Sequence, residues 1–178
     1  MKPFKILKKT CLLDKPFCKI EQQQVEIPNG EIKDWYVSLG TDSVIIIPLL
    51  KDGSVLLQKS YKHGCLDVVI EFPTGSMDQG EKWTDTAPRE LLEETGYTAE
   101  SYTKIGSVFS SPTSSEKQHH IILAKGCVLT QSPEMEDDEQ IEPFVVKDIQ
   151  AVGELLTDPE TKTSSSTVAA LGYAMCHI

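Results

Sequence analysis

Apolar residues fall in short runs separated by turn residues, the pattern of a sheet-forming chain. Ser43 to Leu50, SVIIIPLL, is apolar on both faces and reads as a buried strand. Lys51-Asp52-Gly53 then turns the chain, and Ser54 to Lys62 returns beside it. Val68 to Phe72 is a further short apolar strand. Upstream, Cys18 to Ile27 alternates loosely, Pro28-Asn29-Gly30 supplies a turn, and Asp34 to Leu39 pairs back as a hairpin. Downstream, Lys104 to Phe109, Ile121 to Val128 and Phe144 to Val146 read as strands. Two helices follow, Asp148 to Leu156 and Thr167 to Met175. Strands around a central helix, with helices at the end, predict a layered α/β domain. The expected division is 1–40 as N-terminal strands that pack on a second subunit, and 41–178 as the main domain.

The central helix lies in the run GSMDQGEKWTDTAPRELLEETGY, residues 75–97. Proline is tolerated in a first helical turn but not deep inside, so Pro88 places the start near Asp85 or Thr86, either of which suits an N-cap. Gly96 is placed to stop the helix in left-handed conformation. With 3.6 residues per turn, Glu90, Glu93 and Glu94 share a face, while Leu91 and Leu92 point into a core. Three like charges on one face repel, and a hard cation taking oxygen ligands turns that repulsion into attraction. Arg89 can brace a carboxylate with its two-pronged guanidinium, and Gly75 and Gly80 let the preceding loop bring Glu81 beside the helix. A solvated acidic face is the plain alternative. The fixed offsets of Gly75, Glu81 and Glu90 set this run apart from it.

Composition sharpens the picture in two ways. With 17 basic against 27 acidic residues the formal net charge is −10, which excludes the basic footprint of a nucleic-acid binder. An acidic protein handling an anionic substrate needs cations, which again favours a metal-dependent site. The five cysteines are odd in number and lack zinc-like spacing, so they read as reduced, mostly buried thiols of a cytoplasmic protein. The longest apolar run, Val44 to Leu50, is far short of a membrane span. His119 and His120 read as sheet or rim residues rather than zinc ligands.

The run from Gly75 to Tyr97 resembles the signature of the Nudix hydrolase superfamily at every fixed position. The resemblance implies a mixed-sheet α/β/α sandwich with the run forming loop-helix-loop. It implies Mg²⁺ or Mn²⁺ held by Glu90 and Glu94, with Glu93 and the Thr74 carbonyl contributing, and Arg89 supporting them. Pro112, fifteen residues past the run, resembles the ADP-ribose pyrophosphatase subgroup. That subgroup implies a homodimer, a small nucleotide substrate and hydrolysis of ADP-ribose to AMP and ribose 5-phosphate. Trp35 would stack on adenine, or is an ordinary strand tryptophan. Lys62 stands where the family usually has arginine, Glu71 to Gly75 resembles the family's Glu-x-Pro-Ala-Gly, and Glu116 lies one residue from the family's loop glutamate. In the acidic stretch Glu134 to Glu142, Glu139 falls on a further metal-ligand position, with Asp137 or Glu136 as the water-activating base. Other nucleoside diphosphate sugars, dinucleoside polyphosphates and a non-catalytic ADP-ribose sensor are the alternative functions.

Overall fold

The computed structural model describes residues 1–16, 18–135 and 140–178, which cluster into two compact units. The first comprises Met1–Asp42 with Phe109–Gln118. Its sheet runs β1 (Lys5–Lys15), β2 (Cys18–Glu26), β3 (Ile32–Leu39), with both pairings antiparallel. The expected hairpin is therefore present, turning at Gly30, whose φ of 87° suits a residue without Cβ. β1 was not legible: its charged and apolar residues follow no period, and all of it is exposed. Hydrogen bonding to β2, not burial, makes it a strand. The 109–118 loop joins this unit through bonds from Ser38 N–H to the Ser114 carbonyl (2.7 Å) and from Trp35 Nε1–H to the Thr113 carbonyl (2.8 Å).

The second unit, Ser43–Val108 with His119–Ile178, is built on a mixed sheet. Its strands are β4 (Ser43–Leu50), β5 (Val55–Lys62), β6 (Asp67–Glu71), β7 (Thr74–Ser76), β8 (Tyr97–Thr98), β9 (Ser101–Phe109), β10 (Gln118–Leu129) and β11 (Ile141–Val146). The central path is β11-β5-β4-β10-β8, with β6 on β5, β7 on β4 and β9 on β10. β10 and β4 run parallel, while β5 pairs antiparallel with β4, β6 and β11. Three helices complete the described residues: α1 (Trp83–Thr95), α2 (Ile149–Thr157) and α3 (Ser165–Ala174).

Strand alternation divides the core into two layers. Val44, Ile46, Leu56, Ile122 and Ala124 point to one side and pack with Ala87 and Leu91 of α1. Ile45, Ile47, Val55, Leu57, Ile121 and Leu123 point to the other and pack with Val152 and Leu156 of α2 and Ala170, Leu171 and Ala174 of α3. This is the expected α/β/α sandwich. The apolar run of β4 is explained by its central place, since both of its faces are covered.

Three expectations need correction. α1 begins at Trp83, not near Asp85 or Thr86, with Lys82 as N-cap and Pro88 as its sixth residue. The amide bond that proline forgoes would have gone to Thr84, still in the first turn, so the proline is tolerated deeper than the rule suggests. The Lys82 carbonyl holds that turn by accepting from Asp85 N–H, Thr86 N–H and Thr86 Oγ1–H. At the other end Gly96 does stop the helix, at φ 75° with its N–H on the Leu92 carbonyl. The cysteines are not mostly buried: Cys11, Cys18, Cys65 and Cys176 are exposed, and only Cys127 packs in the core. Leu91 is fully buried but Leu92 only partly. Among the described residues, no helix is long and apolar enough to cross a membrane.

Candidate active site

Three carboxylates of the second unit are largely withdrawn from water: Glu71 at the end of β6 (5% exposed), and Glu90 (9%) and Glu94 (3%) on α1. One helical turn separates Glu90 from Glu94 and sets them on the same face. β5 carries a polar row on the side toward α1, because Leu56 packs against that helix and Gln58, Ser60 and Lys62 follow at every second position. Glu71 lies directly opposite Gln58 in the β5–β6 register.

Each carboxylate has its own support. Glu94 Oε2 accepts from Thr74 N–H at 2.9 Å, and its Oε1 accepts from the Gln58 side-chain amide at 3.3 Å. Glu71 Oε1 lies 2.6 Å from Lys62 Nζ. Arg89 is the hub for the rest. Its guanidinium lies 2.8 Å from Glu90, 3.0 Å from Glu93 and 3.3 Å from Glu81, and its remaining donor reaches the Ser76 carbonyl at 3.4 Å. A planar group with five donors in a fixed fork holds these three carboxylates in one defined arrangement, where an ammonium offers three donors on a freely rotating point charge. Glu81 is brought in by Gly80, at φ 84°, and accepts from Asp78 N–H. Gly75 acts differently from the expected loop hinge. It sits in β7 against the Glu90 carboxyl, and a Cβ there would lie 1.8 Å from Glu90 Cδ.

Electrostatics follow from this packing. Burial pushes the Glu94 carboxyl up to about 8, the Glu90 and Glu71 charges adding to it against the Thr74 and Gln58 hydrogen bonds. Burial draws Arg89 down, but Glu81, Glu90 and Glu93 outweigh it and hold the guanidinium above its ordinary value. The Asp78 N–H, then Arg89, keep Glu81 below the usual carboxylate range. An oxygen-only, carboxylate-rich and buried donor set, in which Glu94 is held only by uncharged donors, fits a hard divalent cation. Among the described residues no three acidic, histidine or cysteine side chains already converge at coordinating distance. A divalent ion held by one or two carboxylates, with its other oxygens from water and substrate, needs no such cluster.

A cavity of about 710 Å³ opens beside Glu71, lined also by Lys62, Asp67, Lys162, Thr163 and Ser166. Its size is that of a small-molecule site. Lys162 pairs with Asp67 on its wall.

Of the residues expected from sequence, Thr74, Glu90, Glu93, Glu94, Arg89, Glu71 and Lys62 are thus gathered in the second unit. Trp35, Pro112 and Glu116 belong to the first. Trp35 is half-buried, its indole N–H held by Thr113 and its ring edge-on to Phe4, while Pro112 and Glu116 are exposed. Glu136, Asp137 and Glu139 lie outside the described residues. His119 and His120 sit in β10, bonded through Nδ1 to Ser43 and Ser107. Sequence reasoning missed Gln58. The signal available was a glutamine on the inward period of an otherwise apolar strand.

Comparison with known proteins matches residues 40–170 to the family model described as NUDIX domain. The chain is 32% identical over 125 residues to an ADP-ribose pyrophosphatase of Bacillus subtilis, covering 70% of this chain and 68% of that one. It is 33% identical over 137 residues to an ADP-ribose pyrophosphatase of Saccharomyces cerevisiae, covering 67% of this chain but only 59% of the yeast protein. A crystal structure of an ADP compounds hydrolase has the same fold, with a TM-score of 0.86 at 23% identity, over 99% of this chain and 95% of that one.

Proposed function

The chain belongs to the Nudix hydrolases, and from that premise we propose that it cleaves the pyrophosphate bond of ADP-ribose, giving AMP and ribose 5-phosphate. Support comes chiefly from the buried set of Glu71, Glu90 and Glu94 with Arg89 bracing its outer side. The names carried by the Bacillus subtilis and yeast relatives point to the same substrate. Glu90 and Glu94, with the Thr74 carbonyl, are the residues that would hold magnesium or manganese, and when bound such an ion neutralises pyrophosphate charge and acidifies a coordinated water.

The chain's own groups do the rest. Arg89 fixes Glu81, Glu90 and Glu93 so that their carboxylates need no reorganisation when substrate arrives. Lys62 offers a point charge to a phosphate, at the cost of loosening its pair with Glu71. Water attacks one phosphorus: a new P–O bond forms, the bridging P–O bond breaks, and the departing phosphate keeps the bridging oxygen. A carboxylate of the acidic stretch, Asp137 or Glu136, would take the proton from water, and Glu139 is a further residue that would hold the ion. Trp35 would supply a stacking face for adenine, its indole N–H held by the Thr113 carbonyl of the 109–118 loop that also carries Pro112 and Glu116.

A substrate panel tests the proposal. With magnesium, ADP-ribose is expected to give the highest kcat/KM among ADP-ribose, other nucleoside diphosphate sugars and dinucleoside polyphosphates. A dinucleoside polyphosphate preferred by tenfold or more would overturn the substrate assignment. We also propose a homodimer formed through the first unit, whose three strands leave Ile6, Leu7, Leu12, Leu13, Ile32 and Tyr36 exposed. Light scattering after size exclusion is expected to give twice the 19.7 kDa chain mass, and a monomer would refute it.

A further inference from the structure

We infer that Gln58 is a positioning residue for Glu94, orienting its carboxylate with a donor that adds no positive charge beside the oxygens a divalent cation would take. The inference rests on the role proposed above for Glu94 and goes beyond it, to a residue outside the signature run. Gln58 is 0% exposed, on a strand whose inward neighbour two residues earlier, Leu56, packs in the core. An apolar side chain would suit that place better. As a glutamine it leaves Oε1 buried with no hydrogen-bond partner among the described residues, an arrangement that costs stability. What the amide does make is its bond to Glu94 Oε1 at 3.3 Å.

The contrast with the neighbouring carboxylates gives that bond its meaning. Glu90 is held by the Arg89 guanidinium and Glu71 by the Lys62 ammonium, so their charges are already offset. Both donors on Glu94, the Gln58 amide and the Thr74 N–H, are uncharged. They come from β5 and β7, and each takes one oxygen. An ionised carboxylate has about four lone-pair sites, so two donors fix its plane and leave roughly two for other ligands. A lysine or arginine at position 58 would fix Glu94 as well but would neutralise it. A leucine would leave only the Thr74 N–H on Oε2, and the carboxylate plane free to turn about it.

The test replaces Gln58 with methionine, which keeps the length and volume but cannot donate, and reads Mn²⁺ binding by electron paramagnetic resonance beside steady-state kinetics. Gln58→Met is expected to weaken Mn²⁺ binding about tenfold, within the range set by lost outer-shell partners. It should lower kcat to match, leave the nucleotide KM within about twofold, and leave the urea midpoint unchanged or raised. Gln58→Leu substitutes if the methionine variant does not fold. Mn²⁺ affinity within about twofold of the parent overturns the inference, whatever the activity. Glu94→Gln is measured in parallel. If it too binds Mn²⁺ as the parent does, the reading of the whole site falls with the inference. If it alone is impaired, only the role of Gln58 is refuted.

Discussion

Replacing Glu94 by glutamine is expected to lower kcat for ADP-ribose on the order of 10³-fold, a loss of about 4 kcal/mol of transition-state stabilisation. The substitution changes little else. Glutamine is isosteric, its carbonyl oxygen can still accept from Thr74 N–H, and the position stays buried. Folding should hold or improve, because a buried carboxyl flanked by Glu90 and Glu71 is replaced by a neutral amide. A large fall in kcat with an undiminished urea midpoint therefore separates the chemical role of the charge from any structural one. Wild-type kcat in the variant would remove Glu94 from the mechanism.

Gly75→Ala is expected to cost about 10²-fold in kcat by a different physical route. Gly75 pairs with Val44 in the β7–β4 ladder, and its backbone conformation is open to any residue. Nothing in the strand forbids alanine. The obstacle is one atom: the added Cβ would lie 1.8 Å from Glu90 Cδ and 2.1–2.2 Å from both carboxylate oxygens. Glu90 must then swing away by more than an ångström, breaking its geometry with Arg89 at 2.8 Å. A displacement of that size in a catalytic array commonly costs two orders of magnitude. Circular dichroism should show the sheet intact, since the carboxylate side chain yields before the ladder does. An alanine variant with parental kcat would mean that Glu90 need not sit against β7.

The same glycine shows what the sequence could and could not disclose. Its place in the signature run was plain, and so was the need for Glu90 and Glu94 to share a helical face. That β7 presses on the Glu90 carboxyl depends on strand pairing with β4, which no local pattern encodes. Strands β4, β5 and β6 were legible because burial leaves apolar runs, and the end of α1 because Gly96 alone suits its left-handed turn. The start of α1 was misplaced because Pro88 was weighed by position alone, when the acceptor it fails to use lies in a turn already held by the Lys82 carbonyl. β1 escaped notice because nothing on it is buried. Gln58 drew no notice because only the packing of α1 on β5 sets it beside Glu94.

Anomalous diffraction from crystals soaked with Mn²⁺ and a non-cleavable ADP-ribose analogue probes the central claim most directly. The expected result is a manganese peak within coordinating distance, about 2.2 Å, of oxygens from both Glu90 and Glu94, with the analogue's pyrophosphate completing its shell. Well-ordered analogue with no anomalous peak beside α1, or a peak on carboxylates elsewhere, would contradict it.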